Sequence, residues 1–363
     1  MNRRPSQSRT GFDSFSPQHT AHFKAAQPGG EFFEPKPRAS LGRRLLLALL
    51  LMMLIALAVN LAVNQFVRVA RVTVPIRRMD PAFEGYTLLQ ISDLKGATYG
   101  SNQALIRFAL QNEDFDAVVF TGDMVSSRGN AQPLYALIEM LRELKPDAPI
   151  YMIPGDKDPL PASMSYATGG SPFAPWVLGA KQRGGQLLSA PVQIERDGHT
   201  LWLTTSALLS LDMDTMQAQF ERQYLDALAD GDENAIELTT YNLQWLTETR
   251  NARAKMTDAD VYIALTHVPP ADEELESAYP GSLRERVHLV LCGHYQGGLI
   301  RLPFAGALFI PSQNLPLYGL LPGADTYFGL TRKGRTYLYV SPGLGGNDGL
   351  YPLPFFRLFN PPT

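Results

Sequence analysis

The stretch "VHLVLCGHYQGG" (287–298) decides how the chain reads. Its first half is a short apolar run (Val287, Leu289, Val290, Leu291), with the length and composition of a buried strand rather than a helix. Its second half is a loop in which Gly293 and His294 are followed by Gln296 and two more glycines. A strand that runs out into glycine and histidine brings backbone close to a ligand and can present an imidazole to a metal ion. Two positions after His294, where a second such ligand would fall, the residue is Gln296.

The same design recurs upstream. "TLLQIS" (87–92), "DAVVFTG" (116–122) and "APIYMIPG" (148–155) read as strands, separated by amphipathic helical patterns at "NQALIRFALQN" (102–112) and "PLYALIEMLREL" (133–144). Continuous apolar strands alternating with helices predict a largely parallel sheet covered on both faces. Asp197-Gly198 lies between two alternating runs in "VQIERDGHTLWLTTSA" (192–207), a hairpin signal. Residues 208–256 read as a helical insertion, polar on one face. Strands return at 261–267, 287–293, 298–303 and 307–312, and a last hairpin over 327–341 turns at Lys333-Gly334. The order predicts an α/β fold of two packed sheets with helices outside, over a domain spanning 84–363.

Ahead of that domain the chain changes character. Residues 1–44 are rich in Ser, Pro, Gln and Arg without apolar periodicity and read as a disordered tail. Leu45–Val63 then holds 19 residues with only Asn60 polar. At the helical rise this run spans roughly 28 Å, close to the hydrocarbon thickness of a bilayer. A transmembrane helix is expected over 45–67, with 68–83 as a linker, and the lipid bilayer is thus one expected partner. Four basic residues flank each end (Lys36, Arg38, Arg43, Arg44 against Arg68, Arg71, Arg77, Arg78), so the positive-inside rule does not choose an orientation. Arg3, Arg4, Arg9 and Lys24 tip it toward an internal N-terminus, with a single pass through the cell membrane and an extracytoplasmic soluble domain.

Composition bounds the chemistry. A formal net charge of −3 over 363 residues gives no reason to expect nucleic acid as a partner. The single cysteine, Cys292, excludes an internal disulfide and a thiolate metal cluster.

Five strand ends share one feature, a polar residue immediately after the apolar run: "ISDLKG" (91–96), "TGDMV" (121–125), "PGDKD" (154–158), "LTHVP" (265–269) and "CGHYQGG" (292–298). Singly, such an Asp is more often a cap and such a His a hydrogen-bonded structural residue. Together, in the crevice beyond the carboxyl ends of strands, they describe a site. The ordered set resembles the calcineurin-like metallophosphoesterases, whose pattern is D-x-H, G-D, G-N-H-D/E, H, then G-H-x-H, and the likeness runs over about 86–346. With the N-terminal anchor and the ending "YVSPGLGG" (339–346), it is similar to the membrane-associated bacterial branch of that family. The resemblance implies a four-layer α/β/β/α sandwich and a phosphate ester substrate, lipid-linked in some members of that branch.

Residue by residue the match is partial. Asp93 fits the first Asp, but Lys95 stands where a His is expected. Asp123 fits the bridging Asp. In "GDKD" Asp156 replaces the Asn and Lys157 the catalytic His, while Asp158 keeps the acid. His267 and His294 match, and Gln296 replaces the last His. In the family, one metal position uses the first Asp, its neighbouring His, the bridging Asp and the final His, so Lys95 and Gln296 remove two of its four ligands. The other keeps four competent groups, Asp123, Asp156, His267 and His294, which suit one divalent ion (Mn, Fe or Zn). Lys95, Lys157 and Asp93 are then the candidate catalytic residues, the lysines as point charges for phosphate oxygens. Three fillings of the pocket stay open: one ion, two ions, or none with both lysines paired to the aspartates. Two functions follow, a metal-dependent phosphoric ester hydrolase with an incomplete site, or a non-catalytic relative that binds a phosphorylated or lipid-linked ligand or a protein partner at the membrane.

Overall fold

The computed structural model describes residues 40–64, 66–77, 79–167, 171–276, 283–298, 300–302, 306–310, 320–323, 327–345 and 363. The expected disordered tail falls almost wholly outside these residues. The chain divides into two compact units, one through Leu54 and one from Ile55 onward.

The apolar run forms one helix, α1 (Leu41–Val63), which starts four residues before the expected 45. The Ser40 hydroxyl accepts a hydrogen bond from the Arg43 amide at 3.3 Å and so caps the earlier turn. The helix is long and apolar enough to cross a membrane by length and composition.

A four-stranded sheet holds β1 (Leu88–Ile91), β2 (Ala117–Thr121), β3 (Ile150–Ile153) and β4 (Gly185–Leu187), in that order and all parallel. Helices α2 (Ala104–Leu110), α3 (Gln132–Leu144), the short α4 (Met164–Ala167) and α5 (Pro175–Gln182) fill the connections. Strand β2 reads Ala-Val-Val-Phe-Thr and is buried throughout, as a central parallel strand demands. Leu134, Leu137, Ile138 and Leu141 make the buried stripe of α3, with the spacing of one helix face.

The second sheet contains β5 (Val192–Arg196), β6 (His199–Thr205), β7 (Val261–Leu265), β8 (Leu289–Cys292), β11 (Gly329–Lys333) and β12 (Thr336–Val340). Its strand order is β11-β12-β8-β7-β6-β5. A separate pair, β9 (Ile300–Leu302) and β10 (Gly306–Phe309), is antiparallel. The β5–β6 hairpin turns at Asp197-Gly198, both with positive φ (53° and 80°), as a two-residue hairpin requires. Because Lys333 pairs with Thr336, the last hairpin turns at Gly334-Arg335, one residue later than expected. The expected insertion is helical: α6 (Ser206–Leu209), α7 (Met213–Asp230) and α8 (Glu233–Lys255).

Side-chain alternation builds the layers. Val119, Tyr151 and Ile153 of the first sheet meet Leu201, Leu203, Ile263, Leu289 and Leu291 of the second in one core. Val118, Phe120, Ile150 and Met152 face the other way, onto the stripe of α3 and onto Ile106 of α2. Beyond the second sheet, Trp202 and Tyr262 pack against Met256 and Ala252 at the end of α8, and Ala264 and Val290 join a core with Leu209 of α6. The result is the four-layer α/β/β/α sandwich.

The stretch expected as a linker (68–83) is packed rather than free. Val67 and Val69 lie on the helix-side core, and Val74, Ile76, Met79 and Ala82 on the core between the sheets. Its apolar residues alternate with Arg and Thr, a pattern that earns burial once a sheet edge is available.

Candidate metal centre

The parallel strands end on one side, and the polar residues of the five motifs follow them there. Asp93 and Asp123 come two residues after β1 and β2, Asp156 three after β3, and His267 and His294 two after β7 and β8. The backbone turns sharply at these points: Asp93, Lys95, Asp123, His294 and Gln296 all have positive φ, between 50° and 71°. Non-glycine residues hold that conformation at a cost of about 1–3 kcal/mol each, and such strain clusters at functional sites. Two close approaches need glycine. A β-carbon at Gly155 would overlap the Asp123 carboxylate, and one at Gly293 would overlap Ser92 and Asp93.

The imidazole of His267 is buried, and its Nδ1–H donates to the Thr121 carbonyl at 2.8 Å. This directs Nε2 to within 3.3 Å of Asp123 Oδ1 and 3.0 Å of Asp156 Oδ1. His294 Nδ1 lies 3.3 Å from the same Asp156 oxygen, and the two rings meet edge to face at 5.2 Å. Asp156, His267 and His294 thus offer three ligand atoms within 4.8 Å of one another, and Asp93, Asp123 and His267 a second such set. Asp123 Oδ2 and His267 Nε2 are buried without a well-formed hydrogen bond among the described residues, their polar neighbours being the Lys95 ammonium and the two carboxylates. Both are metal-ligating atoms, and with Asp156 and His294 beside them the donor chemistry fits a divalent cation.

Lys95 enters the same pocket. Its ammonium stands 3.2 Å from Asp123 Oδ2 and 3.9 Å from Asp93 Oδ1, with both carboxylates fully buried. Asp93 also accepts from the His294 amide at 3.0 Å and from Gln296 Nε2 at 3.4 Å, so Gln296 serves as a hydrogen-bond donor. Lys157 sits at the mouth, half-exposed, its Nζ 2.8 Å from Asp156 Oδ2 and its backbone N–H 2.9 Å from Asp123 Oδ1.

Burial alone would depress the His267 imidazole, but the close approach of the Asp123 and Asp156 carboxylates to Nε2 pushes it up to about 11. The close approach of His267 holds the Asp156 carboxyl far below its ordinary range, against its own burial. Asp123 is lowered as well, since His267 and Lys95 outweigh the burial that would raise it. Burial and the neighbouring His267 charge depress His294. Without metal, then, an imidazolium at His267 joins Lys95 and Lys157 in balancing Asp93, Asp123 and Asp156.

All seven residues singled out from sequence gather in this pocket. Asp158 has a structural task that the motif did not disclose: it accepts from the Val125 amide at 2.7 Å and the Gly155 amide at 2.8 Å, stapling two site loops together. Burial raises its carboxyl to about 6 despite those donors.

Carboxylates and imidazoles thus gather at the strand ends of a four-layer sandwich as a candidate metal centre. The profile of the calcineurin-like phosphoesterase family matches residues 86–296, and the chain belongs to that family. Members of the family use divalent metals. The chain is 26% identical over 268 residues, covering 72% of itself and 73% of its relative, to the uncharacterized metallophosphoesterase YkuE of Bacillus subtilis. Among solved structures it is similar to the phosphopantetheinyl hydrolase PptH of Mycobacterium tuberculosis (12% identity, 71% of this chain and 90% of that one, TM-score 0.34). It is also similar to a dimetal phosphatase of Danio rerio (14% identity, 73% and 88%, TM-score 0.34).

Proposed function

We propose that this chain is a membrane-anchored phosphoric ester hydrolase that works with one divalent ion, held by Asp123, Asp156, His267 and His294. One observation carries the reading: His267 Nε2 stands between Asp123 and Asp156, His294 reaches the same Asp156 oxygen, and the Lys95 ammonium lies between Asp93 and Asp123. The cation that a second ion would supply there is provided by the protein itself. Mn, Fe or Zn suits this donor set, and when bound it would polarise the phosphoryl group as a Lewis acid.

The chain's own groups have separate tasks. The Thr121 carbonyl keeps the His267 proton on Nδ1 and leaves Nε2 free. Asp93 holds Lys95 and, through the His294 amide, the loop carrying that ligand. Lys157, exposed at the mouth, is placed to take a phosphate oxygen once it leaves Asp156. The fixed charges of Asp93, Asp123, Asp156, Lys95 and Lys157 sum to −1, and a single divalent ion brings the pocket to +1, attractive to phosphate.

Helix α1, apolar over its length, supports a single membrane pass, and the basic residues Arg3, Arg4, Arg9 and Lys24 favour a soluble domain outside the cytoplasm. A substrate anchored in the same bilayer, a lipid-linked phosphate ester, suits that placement. The other reading is a non-catalytic binder of a phosphorylated or lipid-linked ligand or a protein partner. It is favoured by the pairing of both lysines with site carboxylates. Elemental analysis after loading, followed by turnover of an aryl phosphodiester, tests the proposal. One equivalent of metal with turnover is expected; two equivalents refute the role given to Lys95, and none with no turnover favours the binder.

A further inference from the structure

Beneath the candidate metal centre one amide crosses from one sheet to the other. Gln90, on β1, uses both hydrogens of Nε2: one goes to Thr121 Oγ1 at 2.9 Å and the other to the Cys292 carbonyl at 2.9 Å. Thr121 ends β2, two residues before Asp123, and Cys292 ends β8, two residues before His294; both are fully buried. Thr121 is also the residue whose carbonyl receives the His267 Nδ1–H. The Cys292 carbonyl takes a further bond from the Ser341 amide, and the Gly293 amide donates to the His267 carbonyl. A single side chain therefore holds the strand ends that set His267, Asp123 and His294.

The other end of the same amide is unsatisfied. Gln90 Oε1 is buried and makes no hydrogen bond among the described residues. An unmet buried acceptor costs about 1–3 kcal/mol, which an apolar side chain of the same size would avoid. A residue chosen for packing alone would not carry that cost, whereas one needed for two donated bonds must.

We infer that Gln90 is a positioning residue for the metal centre, aligning His267 and His294 by tying Thr121 to Cys292. The inference rests on the one-ion reading for its consequence in metal affinity, but not for the hydrogen bonding of His267. Partners that orient ligating histidines are worth about 10–100-fold in metal affinity.

The test uses the full chain and three variants. Gln90→Met keeps bulk and removes the amide, and Thr121→Val deletes the hydroxyl that receives it. Leu88→Ala, on the same strand, supplies a comparable loss of stability outside this network. Mn²⁺ titration gives affinity, and NMR follows the His267 Hδ1 proton, whose shift and slow exchange report the bond to Thr121. Gln90→Met is expected to weaken Mn²⁺ binding at least about tenfold and to move or broaden the Hδ1 signal, with Leu88→Ala changing neither. Thr121→Val should match it, and it decides the question alone if Gln90→Met does not fold. Equal effects from Leu88→Ala, or an unchanged Hδ1 signal in both network variants, would overturn the inference. If the wild type binds no Mn²⁺, the one-ion reading fails, and the Hδ1 result by itself still decides the role of Gln90.

Discussion

Lys95→Met removes the ammonium and leaves the apolar stem, and its cost can be worked from the pocket. The Asp93 and Asp123 ligand oxygens lie within 4.8 Å of each other. At an effective dielectric of about 20, two unit charges at that distance repel by about 3.5 kcal/mol. The lost attraction to an ammonium 3.2 Å from Asp123 adds to this, and the relief of no longer burying that ammonium offsets it. Breaking such a buried pair costs about 3–5 kcal/mol, and the imidazolium of His267 keeps the total near about 3. For a domain of this size that lowers the melting temperature by about 10 °C in the metal-free protein. Millimolar Mn²⁺ should restore most of it by occupying the vacated position. Calorimetry with and without Mn²⁺ measures both effects. A loss below about 1 kcal/mol refutes the argument that this ammonium neutralises the pair.

Further outcomes follow from the same geometry. His294→Ala should abolish the bound equivalent of metal, read by elemental analysis, while the fold survives because the imidazole is only partly buried. Metal affinity should rise with pH by up to about tenfold per unit between 6.5 and 9, since the ion must displace a proton from His267, raised to about 11. In the metal-free protein the same raised value stabilises the fold fully below 6.5, and that contribution fades as pH rises toward 11; chelator-treated protein unfolded in urea at several pH values checks the sign. A fragment beginning at Phe66 should fold in the absence of detergent. One beginning at Glu84 should be less stable, because it loses Val67, Val69, Val74 and Ile76 from two cores; urea melts of the two fragments compare them.

Local pattern made most of the sandwich legible. Strands β2 and β3 are apolar along their whole length, and α3 carries its stripe at helical spacing, so each declares its type without reference to the rest. Strand β4 does not: it is three residues long, begins with glycine, and exists only because β3 offers a free edge. The site was visible as residues that follow strand ends. What supports it was not, since its contacts join distant parts of the chain: Gln90 and Cys292 are 202 positions apart, and Asp158 reaches back 33 to Val125. Neither glutamine nor aspartate in a strand-to-loop sequence announces such a partner. The packing of 67–76 was likewise hidden, because an alternating segment beside a long apolar run reads as its tail.

The glycines and left-handed residues around the pocket carry a consequence for how this protein can change. The loops hold their course because main chain abuts side chain where no β-carbon fits, and because five non-glycine residues accept an uncommon backbone conformation. That frame does not depend on which group is carried at positions 95, 157 or 296, each of which points into the pocket or its mouth. Ammonium, amide or imidazole can be exchanged there while the socket stays where it is. The charge and ligand set of the pocket are then adjustable through a few side chains, whereas a substitution at Gly155 or Gly293 would deform the socket itself.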